Sequence, residues 1–205
     1  MERVKVYNDK GMPFKTGVGI FAKTFMEHFP LLPVEDEGRL HDPQLRENFI
    51  ERIFTLRRWR ETTASENKRR AIMDFHTRHK LLLMSHSPKH YSLMGKIVAD
   101  QKKEPIGRLL AVYEKALMSA LQQKTSPSKN ANVLQHMMGY FKKDLSPDEK
   151  RELLEVIAQY KQGDLPLIVP VTLIHHYVRK YDQPYLKNQI YLDPHPLELH
   201  LRNHS

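Results

Sequence analysis

"DPQLRENFIERIF", residues 42–54, decides the fold class of this chain. Asp42 is an N-cap residue followed by Pro43 at the first helical position, and Leu45, Phe49, Ile50, Ile53 and Phe54 then recur on one side of a long helix. Downstream the same periodicity predicts further helices. One follows Ser65 and covers Arg70 to Met84; others run from Tyr91 to Ala99, Ile106 to Leu121 and Val133 to Phe141. "SPDE" at 146–149 opens a sixth that reaches Tyr160 and stops at Gly163, and a seventh follows Pro166, with Pro170 tolerable only in its first turn. "QKTSPSKN" reads as a loop, and the tail from Pro184 as irregular chain. Upstream the texture differs. Val4 and Val6 alternate with Arg3, Lys5 and Tyr7 as in a strand, Asn8 to Gly11 read as a turn, and Ile20, Phe21, Phe25 and Phe29 fall at helical spacing. Leu31, Leu32 and Val34 then suggest a second strand. The expected fold class is therefore mainly α, a single multi-helix domain of about seven helices behind a short N-terminal strand-helix-strand fragment. The expected boundary lies near residue 40, giving units 1–40 and 41–205.

The chain has 205 residues, with 33 Lys and Arg against 24 Asp and Glu, a net charge of +9, and 40% hydrophobic residues. That balance describes a folded domain with an anionic partner in prospect. Cysteine is absent, which removes disulfides, thiol catalysis and Cys-ligated metals from the chain's own resources. No apolar leader and no run of membrane-spanning length occurs, so the expected location is cytoplasmic, with no membrane partner.

Three constellations carry the functional reading. In "DFHTRHKLLLMSHS", Ile72, Phe75, His79, Leu82 and His86 share one helical stripe. These histidines read either as core-edge groups hydrogen-bonded to backbone or as pocket residues. Their seven-residue separation is not a metal-ligand spacing, and although His136, His175 and His176 are available as third ligands, no metal site is expected. In "KNANVLQHMMGYFKK", an apolar face of Val133, Leu134, Met137, Met138 and Phe141 leaves Asn132, His136, Gly139 and Lys143 on one polar ridge, flanked by Gln135 and Lys142. Glycine inside a helix asks for a reason, and close approach of a backbone or ligand is one. Third, 13 Lys and Arg stand against 6 acids between Glu51 and Glu104, so this segment holds seven of the nine excess positive charges. Such concentration suits phosphate binding, and Trp59 within "RRWR" is placed to stack on a base; a solvated helix face is the plainer reading. No Gly-rich phosphate loop, G-x-S-x-G elbow or H-E-x-x-H is present, so nothing supports an enzyme standing alone.

"FHTRHKLLLMSHSPKHY", "NVLQHMMGYFKK" and "PLIVPVTLIHHY" resemble the signature blocks of the YbgA-like domain, a bacterial domain of unknown function, over roughly Leu45 to Leu201. One departure is Asn130-Ala131, where that family commonly reads His-Thr. Residues 1–54 resemble the junction at which a thiouracil-desulfidase-like domain runs into a YbgA-like one, so Met1 reads as an internal methionine behind an absent cysteine-bearing body. The resemblance implies tRNA as partner, and an iron–sulfur cluster, held outside this chain, that takes sulfur from 4-thiouridine.

The leading expectation is a tRNA-binding helical module of a desulfidase-like protein, working with a cluster-bearing domain that can be a separate protein. Arg57, Arg58, Arg60, Lys68, Arg69, Arg70, Lys142 and Lys143 would hold phosphates, and Arg78, His79, Lys80, Asn132, Gln135 and His136 would lie nearer the target nucleotide. The alternative is a protein that binds or metabolises a nucleobase or nucleoside, its pocket lined by His79, His86, His136 and Tyr140.

Overall fold

The computed structural model describes residues 4–17, 19–196, 199 and 201–203, with side chains left out at 4–6, 15 and 16. Met1 and Arg3 fall outside that set. Two strands, β1 (Val4–Tyr7) and β2 (Pro13–Gly17), form an antiparallel hairpin, followed by α1 (Ile20–His28). Seven helices of 12 residues or more then build the body: α2 (Pro43–Thr63), α3 (Lys68–His86), α4 (Pro88–Ala99), α5 (Ile106–Gln122), α6 (Pro127–Met138), α7 (Pro147–Gln162) and α8 (Ile168–Lys180). A single turn, α9 (Pro184–Lys187), opens the tail. The mainly α class is as the sequence indicates.

The N-terminal unit is a hairpin plus helix, not strand-helix-strand. Asn8 organises the turn: its side chain accepts from the amides of Lys10 and Met12, and Gly11 adopts φ 71°, a left-handed conformation that costs glycine little. Residues 31–34 are turn and coil, because Pro30 and Pro33 have no amide hydrogen to give a ladder. Leu31 and Leu32 instead pack against the helical core.

Helix starts follow a repeated device. Asp42, Ser87, Ser126 and Ser146 each cap with a side-chain oxygen, and each is followed by proline at the first helical position. Ser146 and Glu149 complete a reciprocal capping box, and α7 ends at Gly163 with φ 92°. Pro170 sits in the first turn of α8. The same Ser-Pro device starts α6 inside the stretch that reads as a loop, so Asn130 and Ala131 are helical and buried.

Two apolar clusters share α3. Ile72, Phe75 and Leu83 join Trp59, Met94, Tyr113 and Leu117 from α2, α4 and α5. Leu81 and Leu82 face Leu134, Phe141, Ile157 and Ile174 from the other half, with Tyr191 of the tail. A helix walled on two sides needs apolar residues beyond one stripe, which is why "LLLM" is continuous. Trp59 is 1% exposed, stacked on Tyr113 at 5.0 Å and edge-on to Phe75 at 5.3 Å. It therefore belongs to the core and cannot stack on a base.

Gly139 also departs from expectation. It caps the C-terminus of α6 with φ −58°, and a Cβ there would meet nothing within 4 Å, so no close approach requires it. Gly139→Ala is expected to stabilise the fold by about 0.4–1 kcal/mol, read as a raised urea midpoint with unchanged slope. A lowered midpoint would contradict the open-space reading.

Candidate nucleic-acid interface

The basic residues divide by what they touch. Arg57 and Arg70 are exposed and carry weak partners one turn on, Glu61 at 3.0 Å and Asp74 at 3.9 Å, pairs that contribute little in water. Arg60, Lys68, Lys142 and Lys143 are exposed. Arg69 instead donates to the carbonyls of Gln101 and Glu104 and pins the α4–α5 loop. Half-buried Arg58 donates to the Pro194 carbonyl at 2.7 Å and lies over the Phe54 ring. Those two are structural ties rather than free phosphate ligands.

On α6 the ridge faces solvent: Asn132, Gln135, His136 and Gly139 are all exposed. His79 is not beside it. It is 2% exposed, its ring stacks on Phe75 at 3.8 Å, and its Nδ1 hydrogen-bonds the Phe75 carbonyl at 2.8 Å. Burial, with the charges of Arg58, Arg78 and His76, brings its pKa down to about 3 despite that bond, so the imidazole is neutral at physiological pH. A direct nucleotide contact from His79 is ruled out by this burial. His86 is also closed in, with Nε2 3.0 Å from Glu51 and Nδ1 2.7 Å from the Gln123 carbonyl. His79 and His86 thus sit in the core while His136 and Tyr140 lie at the surface, and the four do not line one pocket. Each buried histidine bonds a backbone carbonyl, as the plainer reading holds.

What the fold does assemble is a patch of exposed and half-buried rings around Lys80. His76, one turn before Lys80 on α3, stacks parallel to Tyr91 of α4 at 5.7 Å, while its Nδ1 meets the Tyr113 hydroxyl at 3.0 Å. His136 stands edge-on to Tyr140 at 5.7 Å, and Tyr140 stacks on Tyr185 of α9 at 4.9 Å and 14°. Burial, and after it the charge of Lys80, depresses the pKa of His76 and of His136. Burial, then Tyr140 and Tyr91, push the Tyr185 phenol upward. Beside Tyr185 opens a groove of about 340 Å³ lined by Asp74, Thr77, Arg78, Asn188 and Gln189.

His76, Tyr91 and Tyr185 escape the sequence reading. His76 and Lys80 stand at i and i+4, a spacing that puts them on one face and offers the available signal. Nothing local announces Tyr185, which reaches the patch only because the tail folds back.

Beneath lies a polar joint between α2, α3, α6, α7 and the tail. Arg202 donates to Glu47 and Glu51, both at 3.2 Å, and to the Tyr191 carbonyl at 2.7 Å. Tyr191 donates to Asn130, whose amide nitrogen donates to the Tyr160 hydroxyl. Burial and the Glu51 charge push the Glu47 carboxyl up against the pull of Arg202. For Glu51, burial is outweighed by His86 and Arg202, which hold its carboxyl down.

The helical body and its blocks define a family: the chain belongs to the one described as "Protein of unknown function (DUF1722)", whose model matches residues 80–196. Among relatives, the "Uncharacterized protein YbgA" of Escherichia coli (strain K12) is 30% identical over 153 residues, covering 74% of this chain and 90% of that protein. The expected YbgA-like membership therefore holds. No solved structure matches the chain, and among the described residues no helix is long and apolar enough to cross a membrane.

Proposed function

We propose that this chain is an RNA-binding module, with tRNA as partner, that presents an unpaired nucleotide to a sulfur-removing domain. The observation that carries this reading is the Tyr140–Tyr185 stack at 4.9 Å, with His136 edge-on to Tyr140, the Lys80 charge acting on His136, and Arg78 lining the groove beside Tyr185. Single-stranded RNA is held by a combination of aromatic faces for unstacked bases and cations for the adjoining phosphates. Arg57, Arg60, Lys68, Arg70, Lys142 and Lys143 are exposed cations, the further phosphate contacts this reading assigns to a longer RNA. The chain holds no cysteine, so it offers no thiolate to the iron–sulfur cluster implied by the resemblance, and no chemical step is assigned to it. The strand-helix segment before residue 40 is, on this proposal, the end of the desulfidase-like domain that supplies that chemistry.

Binding of unmodified and 4-thiouridine tRNA is measured against salt. Affinity is expected to fall steeply and linearly on a log-log scale. Tyr140→Ala is expected to weaken it by the roughly 1–3 kcal/mol of one stacked base, and Lys80→Ala to reduce the slope by about one. A flat salt dependence, or thermal stabilisation by free nucleosides with no binding of polynucleotide, would overturn the proposal.

A further inference from the structure

The polar joint holds a second arrangement that RNA binding does not use. Glu47 and Glu51 stand one turn apart on α2, and one oxygen of each lies within 4.8 Å of the other and of one ring nitrogen of His195 from the tail. His195 is 6% exposed. Its Nδ1 lies 3.2 Å from the Pro196 carbonyl oxygen, which assigns the proton to that nitrogen. Nε2 then carries a lone pair, shut off from solvent, with no hydrogen-bond partner among the described residues. A buried acceptor left this way costs about 1–3 kcal/mol. One imidazole nitrogen donating to a backbone carbonyl while the other stays bare is the arrangement found in metal-ligating histidines.

We propose that Glu47, Glu51 and His195 form a binding site for a first-row divalent cation of the Mn²⁺, Fe²⁺, Co²⁺ and Zn²⁺ group. Two carboxylates and one imidazole favour a borderline ion over Ca²⁺ or Mg²⁺, which take oxygen donors. His86, 3.0 Å from the Glu51 carboxylate, stands behind that ligand and fixes its orientation. This site is independent of the RNA reading.

The test uses the full chain, stripped with a chelator and titrated with Co²⁺ or Zn²⁺ alone. Calorimetry is expected to give one equivalent, and Co²⁺ a visible ligand-field spectrum of low symmetry. Glu47→Gln and His195→Gln are each expected to weaken binding at least tenfold, while His28→Ala, which removes an exposed imidazole on α1, leaves it unchanged. Circular dichroism checks the fold of each variant, and Glu47→Gln, which keeps the shape of the side chain, decides if His195→Gln unfolds. Absence of a stoichiometric site in the wild-type chain overturns the proposal. So does undiminished binding in a folded Glu47→Gln variant.

Discussion

Arg202→Met is expected to destabilise the metal-free fold by about 3–5 kcal/mol at neutral pH, the cost of leaving buried carboxylates without their cation. The residue is 5% exposed and donates to Glu47, Glu51 and the Tyr191 carbonyl. Methionine keeps most of the volume, so the loss reports charge and hydrogen bonds more than a cavity. Urea unfolding measures it. Adding Glu51→Gln to Arg202→Met is expected to recover part of the deficit, because the second change removes the stranded charge. A drop below about 1 kcal/mol, or a double variant weaker than the sum of its parts, would show that Arg202 is not what neutralises the pair.

The second large effect is pH-dependent. Burial lowers the His79 pKa from its ordinary 6.5 to about 3 in the fold, and the Arg58, Arg78 and His76 charges push the same way. A base whose folded pKa is depressed takes up its proton more readily when unfolded, so acid favours the unfolded chain. The contribution is fully present above about pH 6.5 and is lost progressively as pH falls toward 3. For a fall from 6.5 to about 3 the loss is roughly 4 kcal/mol across that window. Glu47 works in the opposite sense, since its raised carboxyl gains relative stability on acidification. The informative quantity is therefore the difference between wild-type and His79→Leu stability curves from pH 7 to pH 4. That difference is expected to shift by several kcal/mol in favour of the variant as pH falls. A constant difference would mean that His79 is protonated within the fold.

Much of the helical body is legible because its signals are local. Asp42-Pro43 starts α2, the Ser146–Glu149 capping box starts α7, and Gly163 stops it. Ser126-Pro127 carries the same signal, obscured by the small polar residues around it, and so the start of α6 is missed. Helical phase is harder to read where a helix has two buried sides. Within α3, His79 and His86 turn to the core while His76 and Lys80 meet the other aromatic residues, and a single-stripe reading cannot separate these roles. "RRWR" shows charge next to an aromatic ring without showing that the ring points inward against Tyr113. The polar joint is least legible of all. Glu51 finds His86 35 residues away and Arg202 151 residues away, and no periodicity encodes such a meeting.

The fold-back of the tail onto α2 has a consequence for biosynthesis. A ribosome adds about 5–20 residues per second, so α2 emerges on the order of ten to thirty seconds before the guanidinium that pairs with its carboxylates is made. Throughout that interval Glu47 and Glu51 stay hydrated, and the nascent helices cannot close around them. Closure of this joint thus waits on residue 202 and follows the emergence of every helix it ties together.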